Sequence, residues 1–240
     1  MIRPRGPPSP TTTTTTTTSS SSSPREQQQQ QDFIYTPEEY ATMASSIRLF
    51  STSGLLSPAL GDGFVLGVLR HNDGEGAAAT GSSKAVLVFD GERNRELVGL
   101  ARGFGLRCVL HRAVDDVLSG DGGGGGVEGG VEGLVEEVRE IGFDGVLTSG
   151  GRGDAARNVG RLRAVARAAG REGVEVIVGG GVRRGNLAGL VESLGGETGD
   201  GLGDGVWFHS SCLRDGERFD VEEARGLAEG LKELGVVLSH

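Results

Sequence analysis

The residues best equipped for chemistry stand at the ends of apolar runs. The stretch C-V-L-H-R-A-V-D-D, residues 108 to 116, begins as a strand-type run and closes in His111, Arg112, Asp115 and Asp116. An imidazole titrates near neutrality, so His111 suits a general acid/base or a metal ligand, and Asp115 suits orienting an imidazole or pairing with an arginine. On a strand, adjacent side chains leave opposite faces, so His111 and Arg112 are not expected to act as a joint pair. The competing role is mechanical: an Arg112–Asp115 ion pair that stiffens the loop.

Other run ends carry hydroxyls and bare backbone. Thr148, Ser149, Gly150 and Gly151 offer donors beside a helix start, where an anion can sit, and an ST-type turn explains the same residues equally well. Gly179, Gly180 and Gly181 admit close approach of backbone to a ligand, or serve tight packing. His209, Ser210 and Ser211 close the last run. Arg3 and Arg5 lie two apart and share a strand face, a cationic clamp for carboxylate or phosphate unless a frayed terminus leaves them solvated. Cys212 follows H-S-S and makes a weak metal candidate with His209. With Cys108 it completes the chain's 2 cysteines, in no zinc-type or disulfide-framework spacing. Soft ligands suit Cu(I), and two Cys and 2 Met supply few of them.

The elements that would position these residues alternate in type. Strands are expected at 2–5, 64–69, 108–114, 145–149, 175–180 and 205–210. Helices are expected after Thr36, which precedes Pro37 and Glu39 in capping-box spacing, and over Asn94–Phe104. Further helices are expected over 131–141, after Asp154 as N-cap and closed by Gly170, over Asn186–Leu194, and after Asp220. A βαβα alternation implies a parallel sheet with helices outside.

Composition bounds the partners. A net charge of −9, from 24 Lys+Arg against 33 Asp+Glu, argues against nonspecific binding to nucleic acid or anionic lipid. No apolar stretch approaches the ~18 residues of a membrane span, and M-I-R-P-R-G lacks a signal-type apolar core, so a cytoplasmic protein is expected. Pro7 to Gln31, rich in Thr, Ser and Gln, reads as a disordered insert, and 120–126 as a glycine linker.

In chain order, I-R-P-R-G, D-F-I-Y-T-P-E-E-Y, G-F-V-L-G-V-L, H-R-A-V-D, V-L-T-S-G-G, G-G-G-V-R-R-G-N and H-S-S resemble the copper homeostasis protein CutC family. The resemblance implies a (β/α)8 TIM-barrel type of α/β fold, here with about six βα units. Met1 would fall inside the third strand, through an incomplete product or a misassigned start. The implied domains are a partial strand at 1–6, the insert at 7–31 and a barrel domain at 32–240. An unclosed barrel leaves strand edges bare, so an aggregation-prone monomer is expected. Ligand sites of such barrels lie at the carboxyl ends of the strands, with a phosphate often held after the last two.

The implied function is copper binding or copper tolerance. The alternatives are a barrel enzyme acting on a small anionic or phosphorylated metabolite, and a nonfunctional remnant. Partners expected are a small anionic ligand or a copper ion, with no nucleic acid, no membrane, and room for a homo-oligomer.

Overall fold

Thr36 adopts an extended conformation and forms a reciprocal cap. Its Oγ1 accepts the Glu39 N–H at 3.3 Å, and the Glu39 carboxylate accepts the Thr36 N–H at 2.9 Å. Helix α1 (Pro37–Thr52) therefore starts where T-P-E-E predicts, and it buries Met43 and Ile47 completely. The computed structural model describes residues 32–72, 86–119, 129–195, 205–214 and 218–236. The expected strand at 2–5 with Arg3 and Arg5, the Thr/Ser/Gln run and the glycine linker lie outside them.

The chain divides into two compact units, Met1–Cys108 and Val109–His240. In the first, α1 meets helix α2 (Gly91–Arg102): the Tyr40 hydroxyl donates to the Glu96 carboxylate, and the Arg93 guanidinium lies 5.1 Å from the Tyr40 ring centroid. Burial, followed by the Glu96 contact, pushes the Tyr40 hydroxyl's pKa upward. Helix α2 starts earlier than expected because the Asp90 side chain caps it, accepting the Arg93 N–H at 3.1 Å. Asn94 is instead a buried bracket. It accepts the Val68 N–H at 2.9 Å and donates to the Val68 and Asp90 carbonyls at 2.8 and 2.9 Å.

That bracket has a consequence for the expected strand 64–69. Val68 spends its backbone groups on Asn94, and the run splits into β1 (Gly63–Leu66) and β2 (Leu69–His71). Strand β2 pairs antiparallel with β3 (Leu87–Phe89), with Leu69 opposite Phe89 and His71 opposite Leu87. This hairpin is absent from the sequence reading, since each arm is too short to show a period.

Strand β4 (Arg107–Leu110) contains the boundary between the units. Gly63 of β1 lies so close to it that a Cβ there would collide with the Arg107 carbonyl. In the second unit β4 continues in parallel to β5 (Gly145–Thr148), β6 (Glu175–Val178) and β7 (Val206–Phe208). The register aligns Leu110, Val146, Val176 and Val206. Within this unit backbone bonds order the strands β4-β5-β6-β7. This is an α/β fold with a parallel sheet and flanking helices, consistent with the expected TIM-barrel type.

Two further expected elements are corrected. The strand expected over 108–114 ends at Leu110, and Ala113–Leu118 forms helix α3. Ala113, Val114, Val117 and Leu118 are all at most 1% exposed, and a short run buried all round carries no period to distinguish strand from helix. His111 and Arg112 thus lie beyond the strand, and the alternation argued for them does not operate. Asp154 does not cap its helix: a 3-10 turn (Ala155–Arg157) intervenes, and α5 (Val159–Glu172) begins after Asn158 and ends on Gly173 at φ 67° rather than on Gly170.

Helix α4 (Gly130–Ile141) buries Leu134, Val135, Val138 and Ile141, the stripe its sequence predicts. Helix α6 (Arg184–Leu194) buries Leu187, Leu190 and Leu194. A two-strand ribbon, β8 (Leu213–Arg214) with β9 (Arg218–Phe219), precedes α7 (Val221–Glu233), whose Glu222 and Glu223 N–H groups are capped by Asp220 Oδ1 at 3.1 Å each. Among the described residues no helix is long and apolar enough to cross a membrane.

Candidate functional site

Because β4 stops at Leu110 and the chain turns at once into α3, Arg112 and Asp115 fall one helical turn apart and face each other. Asp115 is only 4% exposed. Its Oδ1 accepts from Thr148 Oγ1 at 2.6 Å, the Ser149 N–H at 3.0 Å and the Gly151 N–H at 3.1 Å. Its Oδ2 accepts from Ser149 Oγ and Arg112 Nε, both at 2.7 Å. A buried carboxylate is costly unless paired and hydrogen-bonded, and here both oxygens are occupied. The arginine-pairing role foreseen for Asp115 is the one its geometry adopts.

The same bonds fix the guanidinium. Arg112 Nη2 donates to Ser149 Oγ at 2.8 Å and to the Gly153 carbonyl at 3.2 Å, while Nη1 makes no hydrogen bond among the described residues. The side chain remains 41% exposed. It faces Gly180, whose φ is 84° and whose missing side chain leaves room: a Cβ there would lie 2.8 Å from Ser149 Cβ and 3.2 Å from Arg112 Nη1. The N–H groups of Gly180 and Gly181 make no hydrogen bond among the described residues. A rigid, half-exposed cation beside open backbone donors can hold a carboxylate or a phosphate-like group.

The Thr148–Gly151 turn is also an ST-type turn, since the Gly150 N–H donates to Thr148 Oγ1 at 2.8 Å. Thr148 and Ser149 are fully buried. His111 is 1% exposed, and its Nδ1 accepts the Ala113 N–H at 3.2 Å, which puts the proton of a neutral ring on Nε2.

At the next strand ends, Gly179 and His209 are neighbours, a Cβ on Gly179 lying 3.7 Å from His209 Nδ1, and His209 is exposed. Gly181 lies against the Asp154 carboxylate. Ser210 Oγ donates to the Val182 carbonyl at 2.8 Å and accepts from Arg183 Nη1 at 2.9 Å, and Ser211 is exposed. Cys212 is buried, with φ 48°, and its N–H donates to Ser210 Oγ at 3.2 Å. Among the described residues no group of three or more His, Cys, Asp or Glu is placed to hold a metal ion.

Two residues, Arg183 and Arg152, escaped the sequence reading of the site, and Asp116 stands there without a role. Arg183 ties the glycine turn to the H-S-S segment, also donating to the Leu213 carbonyl at 3.4 Å. Asp116, whose side chain is 11% exposed, lies 3.5 Å from Arg152 Nε. Burial pushes the Asp116 carboxyl up to about 6 although Arg152 opposes the shift. The doubled Asp at 115–116 and the R-R at 183–184 were the only signals available.

The CutC family model matches residues 17–199 of this chain. Two curated relatives named family protein CutC, from Caulobacter vibrioides strains NA1000 / CB15N and ATCC 19089 / CIP 103742 / CB 15, are each 37% identical over 115 residues. Those residues are 48% of this chain and 41% of each relative, so the match spans less than half the length of either relative.

Proposed function

Because the chain belongs to the CutC family, we propose that it serves a copper-homeostasis type of function in the cytosol, and that its own residues contribute a site for a small anionic ligand at the ends of β4, β5 and β6. The observation that carries the anion site is the Arg112 guanidinium, fixed by Asp115 and Ser149 with its Nη1 turned to the Gly180 notch. The ligand would be a small carboxylate or phosphate-like species, taken by Arg112 and the Gly180 and Gly181 N–H groups. His209 would stand at the rim as the group able to exchange a proton with it.

Sulfate tests this directly. It should raise the melting temperature of the whole chain, and Arg112→Gln should abolish the rise. A wild-type chain indifferent to sulfate would remove the anion site.

Copper held by the chain itself is the second reading, with Cys212 as the soft ligand and His209 three residues before it. Cu(I) titration under reducing conditions decides it: tight stoichiometric binding lost in Cys212→Ala supports direct coordination, and no binding eliminates it.

A further inference from the structure

Two arginines meet the Gly150–Gly153 turn, and each is tied to one of two consecutive carboxylates. Asp115 holds Arg112 at 2.7 Å and is itself occupied by Thr148, Ser149 and Gly151. Asp116 holds Arg152 at the longer distance of 3.5 Å and receives a hydrogen bond from no other described residue. The second tie is the longer and has the fewer partners.

The backbone of Arg152 is anchored independently of that tie. Its N–H donates to Ser119 Oγ at 2.7 Å, and its carbonyl accepts from Asn158 Nδ2 at 3.0 Å. Only the side chain, 45% exposed, is left to move. Its neighbour Gly153 supplies the carbonyl that receives Arg112 Nη2, so the base of Arg152 stands one residue from the anion site's own framework.

We infer that Arg152 is a second cation of the anion site, held aside by Asp116 and released to the ligand when that carboxylate is protonated. The inference rests on the anion site proposed above. The charged groups facing Asp116 are Arg152 from the β5 turn and Asp115 and Arg112 from its own turn, and burial already raises its affinity for a proton. Neutralising Asp116 removes a negative charge beside the site and frees a guanidinium. Both effects favour an anion.

Sulfate is the probe, since its charge is constant across the relevant pH range. Its dissociation constant is measured by calorimetry on the full chain at about pH 7.5 and about pH 5.5 for wild type, Asp116→Asn, Arg152→Gln and Arg112→Gln. Wild type should tighten roughly five- to tenfold on acidification. Asp116→Asn should bind tightly at both values, and Arg152→Gln should bind more weakly than wild type at the lower pH and tighten clearly less on acidification, since it keeps only the loss of the Asp116 charge. Imidazoles that gain charge on acidification are common to all four proteins and cancel in the comparison.

The inference is overturned if Arg152→Gln tightens with acid as wild type does, or if Asp116→Asn is no tighter than wild type at the higher pH. If binding is then still lost in Arg112→Gln, the anion site stands and Arg152 alone is excluded. If wild type binds no sulfate at either pH, both readings fall.

Discussion

Arg112 Nε lies 2.7 Å from Asp115 Oδ2, across the first turn of a helix that begins where a strand has just ended. The pair sits at the centre of a buried polar network, because the same carboxylate also receives Thr148, Ser149 and Gly151. Its two members are not equivalent. Asp115→Ala leaves buried donors without an acceptor and should destabilise the chain by about 3 kcal/mol or more. Arg112→Gln removes a side chain that water reaches and should cost about 1 kcal/mol. Urea unfolding of the two variants measures the difference, and equal losses would contradict the hub role of Asp115.

Acid should stabilise this protein through one carboxyl. Asp116 binds its proton more tightly in the folded chain, at about 6 against an ordinary 3.8, so its contribution is fully present below the ordinary value and lost as pH rises through the folded one. The change is at most about 3 kcal/mol between pH ~4 and pH ~7. Subtracting the stability profile of Asp116→Asn from that of wild type should reveal it, with wild type gaining relative to the variant as pH falls. A difference of opposite sign would show the carboxyl to be better stabilised as the anion.

Gly180 and Gly153 give a matched comparison. Both have φ in the left-handed region, 84° and 93°, but a Cβ at 180 meets Ser149 and Arg112 while a Cβ at 153 meets nothing within 4 Å. Gly153→Ala should therefore carry backbone strain alone, about 1 kcal/mol. Gly180→Ala should cost more and weaken sulfate binding besides. Thermal unfolding with and without sulfate separates the two effects.

In the first unit, Asn94→Ala should cost about 2 kcal/mol by stranding the buried Val68 N–H, while the Val68 carbonyl keeps the Asp90 N–H at 3.0 Å. Thr36→Ala removes only an exposed cap and should cost about 1 kcal/mol. Chemical denaturation of both ranks them, and an Asn94→Ala loss no larger than that of Thr36→Ala would contradict the bracket.

What was legible in the sequence was local. The Thr36 cap and the α4 stripe depend on residues three or four apart, and they stand where the pattern puts them. Helix α3 was misread because a short run buried on all sides looks alike as strand or helix. That misreading hid the reason Arg112 reaches Asp115, which is a helical spacing and not a pleat. Thr148 and Ser149 were singled out correctly as polar strand ends, yet their partner lies more than thirty residues away, and nothing in V-L-T-S-G-G names it. Arg152 and Asn94 were lost likewise: their significance lies in groups distant along the chain, and an isolated arginine or a buried asparagine has no periodic signature.

Cys108 is fully buried and Cys212 nearly so, and one lies in each compact unit. A thiol reagent can reach either sulfur only when its surroundings briefly open. The chain thus carries two internal clocks: the labelling rate of Cys108 reports how often β4 opens, and that of Cys212 how often the segment after β7 does. Any metal seeking these sulfurs must keep the same time.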